Sequence, residues 1–257
     1  MMLYVSVIGH GDHYARLNEI LPEIPVYMSD LSRKIIERVF CFSKTKGKFT
    51  RDTIDFQEET PIFIGDMKIT AYRTDHSWFD SYMILVEAEG KKLLYTGDWR
   101  NSGFKGALVE KVLRKIGKVD VLVTEGTQFN RKQIKNQTES DLTLEMIEKT
   151  KKYNQVLLLC STTNIDRAGI VMTKVGNKTN KTVVQDILLA NVLSVLPHRV
   201  PNPANAEDIY CFLPSYYYRK RNIDEYKPYI EPFKEKISKT GRKLHRRFYY
   251  EYQSIGT

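Results

Sequence analysis

Within four residues, His10-Gly-Asp-His13 offers two imidazoles and a carboxylate, directly after the apolar run Leu3 to Ile8. Imidazole nitrogen and carboxylate oxygen are donors that zinc accepts at about 2.0 to 2.2 Å, and a catalytic zinc keeps one position open for water. Two more donors lie further on: His76 in Thr74-Asp-His-Ser77 and Asp98 in Thr96-Gly-Asp98. Five candidate ligands result, namely His10, Asp12, His13, His76 and Asp98, and Asp98, placed after a glycine, could bridge two metals. Each alone reads more simply as a surface, core or turn residue. Their conjunction in this order makes a shared metal site far less of an accident than any one of them does.

The elements that must position these residues follow from hydropathy and turn chemistry. Leu3 to Ile8 reads as a buried strand opening into the loop at Gly9. Leu17 to Ile20 continue in helical fashion, Pro25 to Met28 form a short strand, and Ser29 or Asp30 can cap a helix through Val39. Ile62-Phe-Ile64 and Lys68 to Tyr72 flank a Gly65-Asp66 turn, so a hairpin leads to His76. A second hairpin, Tyr82 to Glu87 with Lys92 to Tyr95 across Glu89-Gly90, leads to Asp98. After a helix around Leu108 to Ile116, Val119 to Thr124 is expected as a buried strand ending at Glu125. Asn136 to Asp141 carries helix-start chemistry, Gln155 to Cys160 reads as a further buried strand, and Val183 to Leu196 as one strong helix. Strand, polar tip and helix alternate, which argues for a layered α/β architecture with the site along one sheet edge.

The composition fits a soluble globular protein, with 42% hydrophobic and 28% charged residues and no apolar stretch long enough to span a membrane. No basic leader or small-residue cleavage site is visible at the start, so a cytoplasmic location is expected. Three cysteines, Cys41, Cys160 and Cys211, have no short paired spacing, which argues against a disulfide framework or a cysteine zinc site. A net charge of +9 favours polyanionic partners. The carboxy-terminal tracts Tyr216 to Arg221 and Arg242 to Tyr250 interleave aromatics with cations, as single-stranded nucleic acid binding uses, although a solvated basic helix explains the same residues.

Taken in order, these motifs resemble the metallo-β-lactamase superfamily and, within it, the β-CASP branch with its ribonuclease J-like nucleases, over roughly residues 3 to 195. The family's second motif, His-x-His-x-Asp-His, is met by Ile8-Gly-His-Gly-Asp-His13 at His10, Asp12 and His13; His76 matches the third-motif histidine and Asp98 the bridging aspartate. Glu125 resembles the acid of the first β-CASP motif, and Ser161 to Arg167 a segment that opens the inserted domain. The resemblance implies a four-layer αββα fold, incomplete here, over residues 1–150, and part of a β-CASP-like α/β domain over 151–257. It implies two zinc ions, with His10 and His76 on one, Asp12 and His13 on the other and Asp98 on both. Asp12 and Glu125 are the residues to which it assigns catalysis, Glu125 by fixing a ligand's tautomer or handling protons. Where the family has the first histidine of that motif the chain has Ile8, and neither His198 nor His245 has an obvious counterpart among the later β-CASP histidines, so the chain is expected to be shortened at both ends.

The function expected is a zinc-dependent phosphodiesterase or ribonuclease acting on single-stranded RNA or another nucleic acid. Two rivals stay open. One is a small ester or lactone hydrolase; the other is a degenerate remnant or binding module that keeps the fold without the chemistry. A homo-oligomer is compatible with all three.

Overall fold

A computed structural model of the protein describes residues 2–14, 16–42, 50–127, 129, 137–197, 200–218 and 223–237. The chain divides into two compact units, one of residues 1–145 with 163–166 and one of residues 146–162 with 167–257.

In the first unit, β1 (Tyr4–Val5) and β2 (Val26–Tyr27) form a parallel pair. Between them α1 (Gly11–Tyr14) is one helical turn. The expected strand Leu3 to Ile8 thus pairs over only two residues, but the chain stays buried through Ile8, and Val7 O accepts from Tyr82 N at 3.1 Å. Next comes α2 (Asp30–Phe42), whose start is capped by Ser29: its hydroxyl accepts from Ser32 N at 3.1 Å.

The main sheet contains β3 (Ile62–Ile64), β4 (Met67–Arg73), β5 (Tyr82–Ala88), β6 (Lys91–Tyr95) and β7 (Val121–Val123), in sequence order across the sheet. Neighbours are antiparallel except β6 and β7, which run parallel across α3 (Gly106–Ile116). Both hairpin turns fall where the sequence places them, with Gly65, Glu89 and Gly90 at positive φ. The apolar stripe of α3, Val109, Val112 and Ile116, packs on Met83, Leu85 and Leu94 of β5 and β6 as one core. Strand β7 ends this sheet with Val121, Leu122 and Val123 all exposed, whereas the sequence reads as a buried strand. Then α4 (Glu139–Lys151) begins at Thr138, whose hydroxyl accepts from Asp141 N at 3.0 Å while the Asp141 carboxylate accepts from Thr138 N at 3.0 Å.

The second unit holds α5 (Met172–Thr179), the parallel pair β8 (Val183–Asp186) and β9 (Ile209–Phe212), α6 (Ile187–Ser194) and α7 (Ile223–Ile230). Two expectations are corrected here. Val183 to Leu196 is a strand and then a helix, because Asp186 stays extended (φ −70°, ψ 160°) and caps α6 by accepting from Leu189 N at 2.9 Å. Gln155 to Cys160 is not a strand: the run has no regular secondary structure and leaves Leu157 and Leu159 exposed. Cys211 is buried and Cys41 and Cys160 are half-buried. Among the described residues no helix is long and apolar enough to cross a membrane. His198, His245, the tract Arg242 to Tyr250 and residues 219–221 lie outside the described residues.

Candidate metal centre

Three elements deliver the donors. The buried segment after β1 turns at Gly9 and brings His10 to the start of α1, where His10 O accepts from His13 N at 3.0 Å. Strand β4 ends at Arg73 and the next loop carries His76; β6 ends at Tyr95 and the next loop carries Asp98, with Gly97 at φ +54° making the bend. Strand spacing of about 4.8 Å puts the ends of β4 and β6 roughly 10 Å apart with β5 between them, so the loops must converge to share a ligand.

They do converge. His10, His76 and Asp98 place one donor atom each within 4.8 Å of one another. His10 Nδ1 lies 3.2 Å from His76 Nε2, and His76 Nε2 lies 3.9 Å from Asp98 Oδ2. Tetrahedral zinc with bonds near 2.0 to 2.1 Å separates its ligands by about 3.4 Å, so the spacing and the donor set both fit such an ion. Burial lowers the pKa of both imidazoles, His76 to about 4 with the neighbouring His10 as the next cause. Both rings are therefore neutral at pH 7 and keep the lone pairs that metal binding requires.

The other expected ligands are placed differently. His13 Nε2 is 3.2 Å from Asp98 Oδ2, while the Asp12 side chain is 79% exposed and comes to 3.8 Å from His13. Because Asp12 and His13 share one helical turn, their side chains diverge by roughly 100°. Ile8 is fully buried, with its Cδ1 packed near Gly97 immediately before Asp98. Glu125, just beyond β7, accepts from Trp99 N at 2.8 Å and so fixes the backbone on the far side of Asp98.

Several contributors carry no advance signal in the sequence. The Ser77 hydroxyl lies 3.3 Å from His10 Nε2 and 3.4 Å from His76 Nε2, although only the histidine of Thr74-Asp-His-Ser77 suggests a role in advance. The wholly buried Trp78 stands edge-on to His10 at 5.7 Å and lies against Gly9, where any Cβ would overlap the indole. The indole N–H donates to Ser32 Oγ at 3.1 Å, and Ser32 donates to Asp80 Oδ2 at 3.1 Å. Asp80 also accepts from Ser29, from Arg73 at 2.9 Å and from Tyr82 at 2.8 Å. This buried carboxylate thus ties α2, β4 and β5 together behind the histidines.

A family model described as the beta-lactamase superfamily domain matches residues 5–165, and the chain belongs to that superfamily, in its metallo-β-lactamase form. A crystal structure of a protein of unknown function from Enterococcus faecalis V583 is similar at a TM-score of 0.67 and 18% identity, over 82% of this chain and 51% of that one. This likeness concerns the fold alone, and the chain spans about half the length of that protein. The metallo-beta-lactamase fold protein YhfI from Bacillus subtilis is 21% identical over 48% of each chain, with a TM-score of 0.33. A Cronobacter sakazakii metallo-beta-lactamase, the HARLDQ motif mutant S60, is 14% identical over 70% of each chain, with a TM-score of 0.35. No curated protein matches the sequence.

Proposed function

We propose that the chain is a zinc-dependent hydrolase of the ribonuclease J type, cleaving a phosphodiester of single-stranded RNA. The observation that carries this reading is the convergence of His10, His76 and Asp98 from three separate loops onto one ion-sized space. Zinc held by His10, His76 and Asp98 would supply an acidified water and polarise a phosphoryl oxygen. His10 and His76 present neutral nitrogens, and Asp98 presents its carboxylate. His13 orients Asp98 by hydrogen bonding, and His13 and Asp12 are the donors that would serve a second ion. Glu125 acts on the site through the Trp99 amide, holding the Asp98 loop. The choice of a polyanionic substrate rests on the net charge of +9.

A second reading, a remnant that has lost the chemistry, is favoured by Ile8, which puts a hydrocarbon where the family's motif has a histidine. Metal analysis and cleavage assays with single-stranded RNA and small esters separate the readings. Zinc at one or more equivalents and RNA cleavage abolished in Asp98→Ala support the nuclease; ester cleavage alone transfers the site to a small-molecule hydrolase. Inactivity of both the native chain and Ile8→His, with zinc present, establishes the remnant.

A further inference from the structure

The loops carrying His76 and Asp98 leave strands that do not touch, so strand pairing cannot set the separation of the two donors. Other bonds do. Arg100 N donates to Asp75 O at 2.7 Å, and Gly103 N donates to Asp75 Oδ2 at 2.7 Å. The Arg100 guanidinium lies over the same carboxylate, with Nε 3.5 Å from Asp75 Oδ1, and is held from beyond by Glu139 at 3.0 Å and Asp166 at 2.6 Å. Asp75, Glu139 and Asp166 are all almost wholly buried. The fit is close enough that a Cβ on Gly103 would overlap the Asp75 carboxylate.

Burying three carboxylates around one guanidinium is a poor route to stability, because the desolvation of each charge offsets most of the attraction. What such a network supplies is a fixed arrangement. It joins the residue before His76 to the residues two and five places after Asp98. We infer that Asp75 and Arg100 are positioning residues, a latch that sets the distance between His76 and Asp98 and thereby the affinity of the metal site. The inference rests on the metal-binding reading above, and the measurements below keep the two apart.

The test uses the full chain and two variants. Asp75→Asn keeps an oxygen to accept from Gly103 N but removes the charge facing Arg100; Gly103→Ala pushes on the carboxylate from the opposite loop. Amide hydrogen exchange of the metal-free protein comes first. The latch predicts that exchange at residues 76–78 and 98–100 quickens together by roughly tenfold in both variants, while Met83 and Leu85 in β5 keep their native rates. Titration with zinc alone comes second, with an expected loss of affinity of about 10- to 100-fold. Faster exchange confined to one loop, or a native zinc affinity in variants whose two loops both exchange faster, overturns the latch. A native chain that takes up no zinc overturns the metal reading instead, and the exchange pattern still decides whether the two loops are coupled.

Discussion

Gly9 and Gly11 flank His10 in the same short motif, yet the structure assigns them opposite tolerances. A methyl group at position 9 would occupy the space of the Trp78 indole, which is wholly buried and anchored through its N–H to Ser32. Overpacking of this kind costs about 1 to 3 kcal/mol, and displacing the indole forfeits a buried hydrogen bond worth about 1 kcal/mol. Gly9→Ala should therefore destabilise the first unit by about 2 to 4 kcal/mol. A Cβ on Gly11 meets nothing within 4 Å, so Gly11→Ala should be neutral or stabilising by up to about 1 kcal/mol through the reduced freedom of the unfolded chain. Urea unfolding followed by circular dichroism compares the two. The same displacement moves His10, so zinc affinity should fall in Gly9→Ala alone. Equal stability of the two variants, or equal loss in both, would refute the packing of Trp78 against Gly9 as the device that places His10.

Two further outcomes follow from the electrostatics. The pKa of His76 falls from an ordinary 6.5 to about 4 on burial, so below pH 6.5 the unfolded chain binds the proton that the metal-free native state refuses. Stability that is full above about pH 6.5 should decline as the pH drops towards 4, by about 3 kcal/mol in all, and His76→Gln should flatten that part of a pH series of urea midpoints. Asp80→Ala removes the buried carboxylate that accepts from Arg73, Ser29, Ser32 and Tyr82 together, leaving Arg73 its ion pair with the more exposed Glu58. A loss of about 3 kcal/mol is expected in the same urea assay, with a much smaller loss for Asp80→Asn.

How much was legible in the sequence depended on whether local chemistry or pairing decided each feature. The turns at Gly65-Asp66 and Glu89-Gly90 and the strand ends that precede His76 and Asp98 follow from a few adjacent residues and stand as expected; of Ser29 and Asp30 it is Ser29 that caps, and within Asn136 to Asp141 the helix starts at Thr138. Val183 to Leu196 is apolar throughout, and periodicity cannot divide such a run between strand and helix; the divide is the extended backbone at Asp186. Gln155 to Cys160 has the composition of a buried strand, but composition does not supply the neighbouring strand that a ladder needs, and the run stays irregular with Leu157 and Leu159 exposed. The direction of the Asp12 side chain depends on a helical turn just four residues long. Trp78, Asp75 and Arg100 support the site through contacts across 25 to 70 residues of sequence, a range that no local pattern records.

The chain contains two tryptophans, and both stand at this site: Trp78 in full burial edge-on to His10, and Trp99 next in sequence to Asp98, with its indole N–H 3.4 Å from Thr124 Oγ1. Indole emission is bluer in an apolar enclosure than where water reaches the ring, so wholly buried Trp78 should emit to the blue of half-buried Trp99. The protein's intrinsic fluorescence is thus a built-in optical probe of the centre. Cobalt, whose open shell quenches nearby indoles, should darken the emission on entering, and zinc, which has a closed shell, should restore it on displacing cobalt.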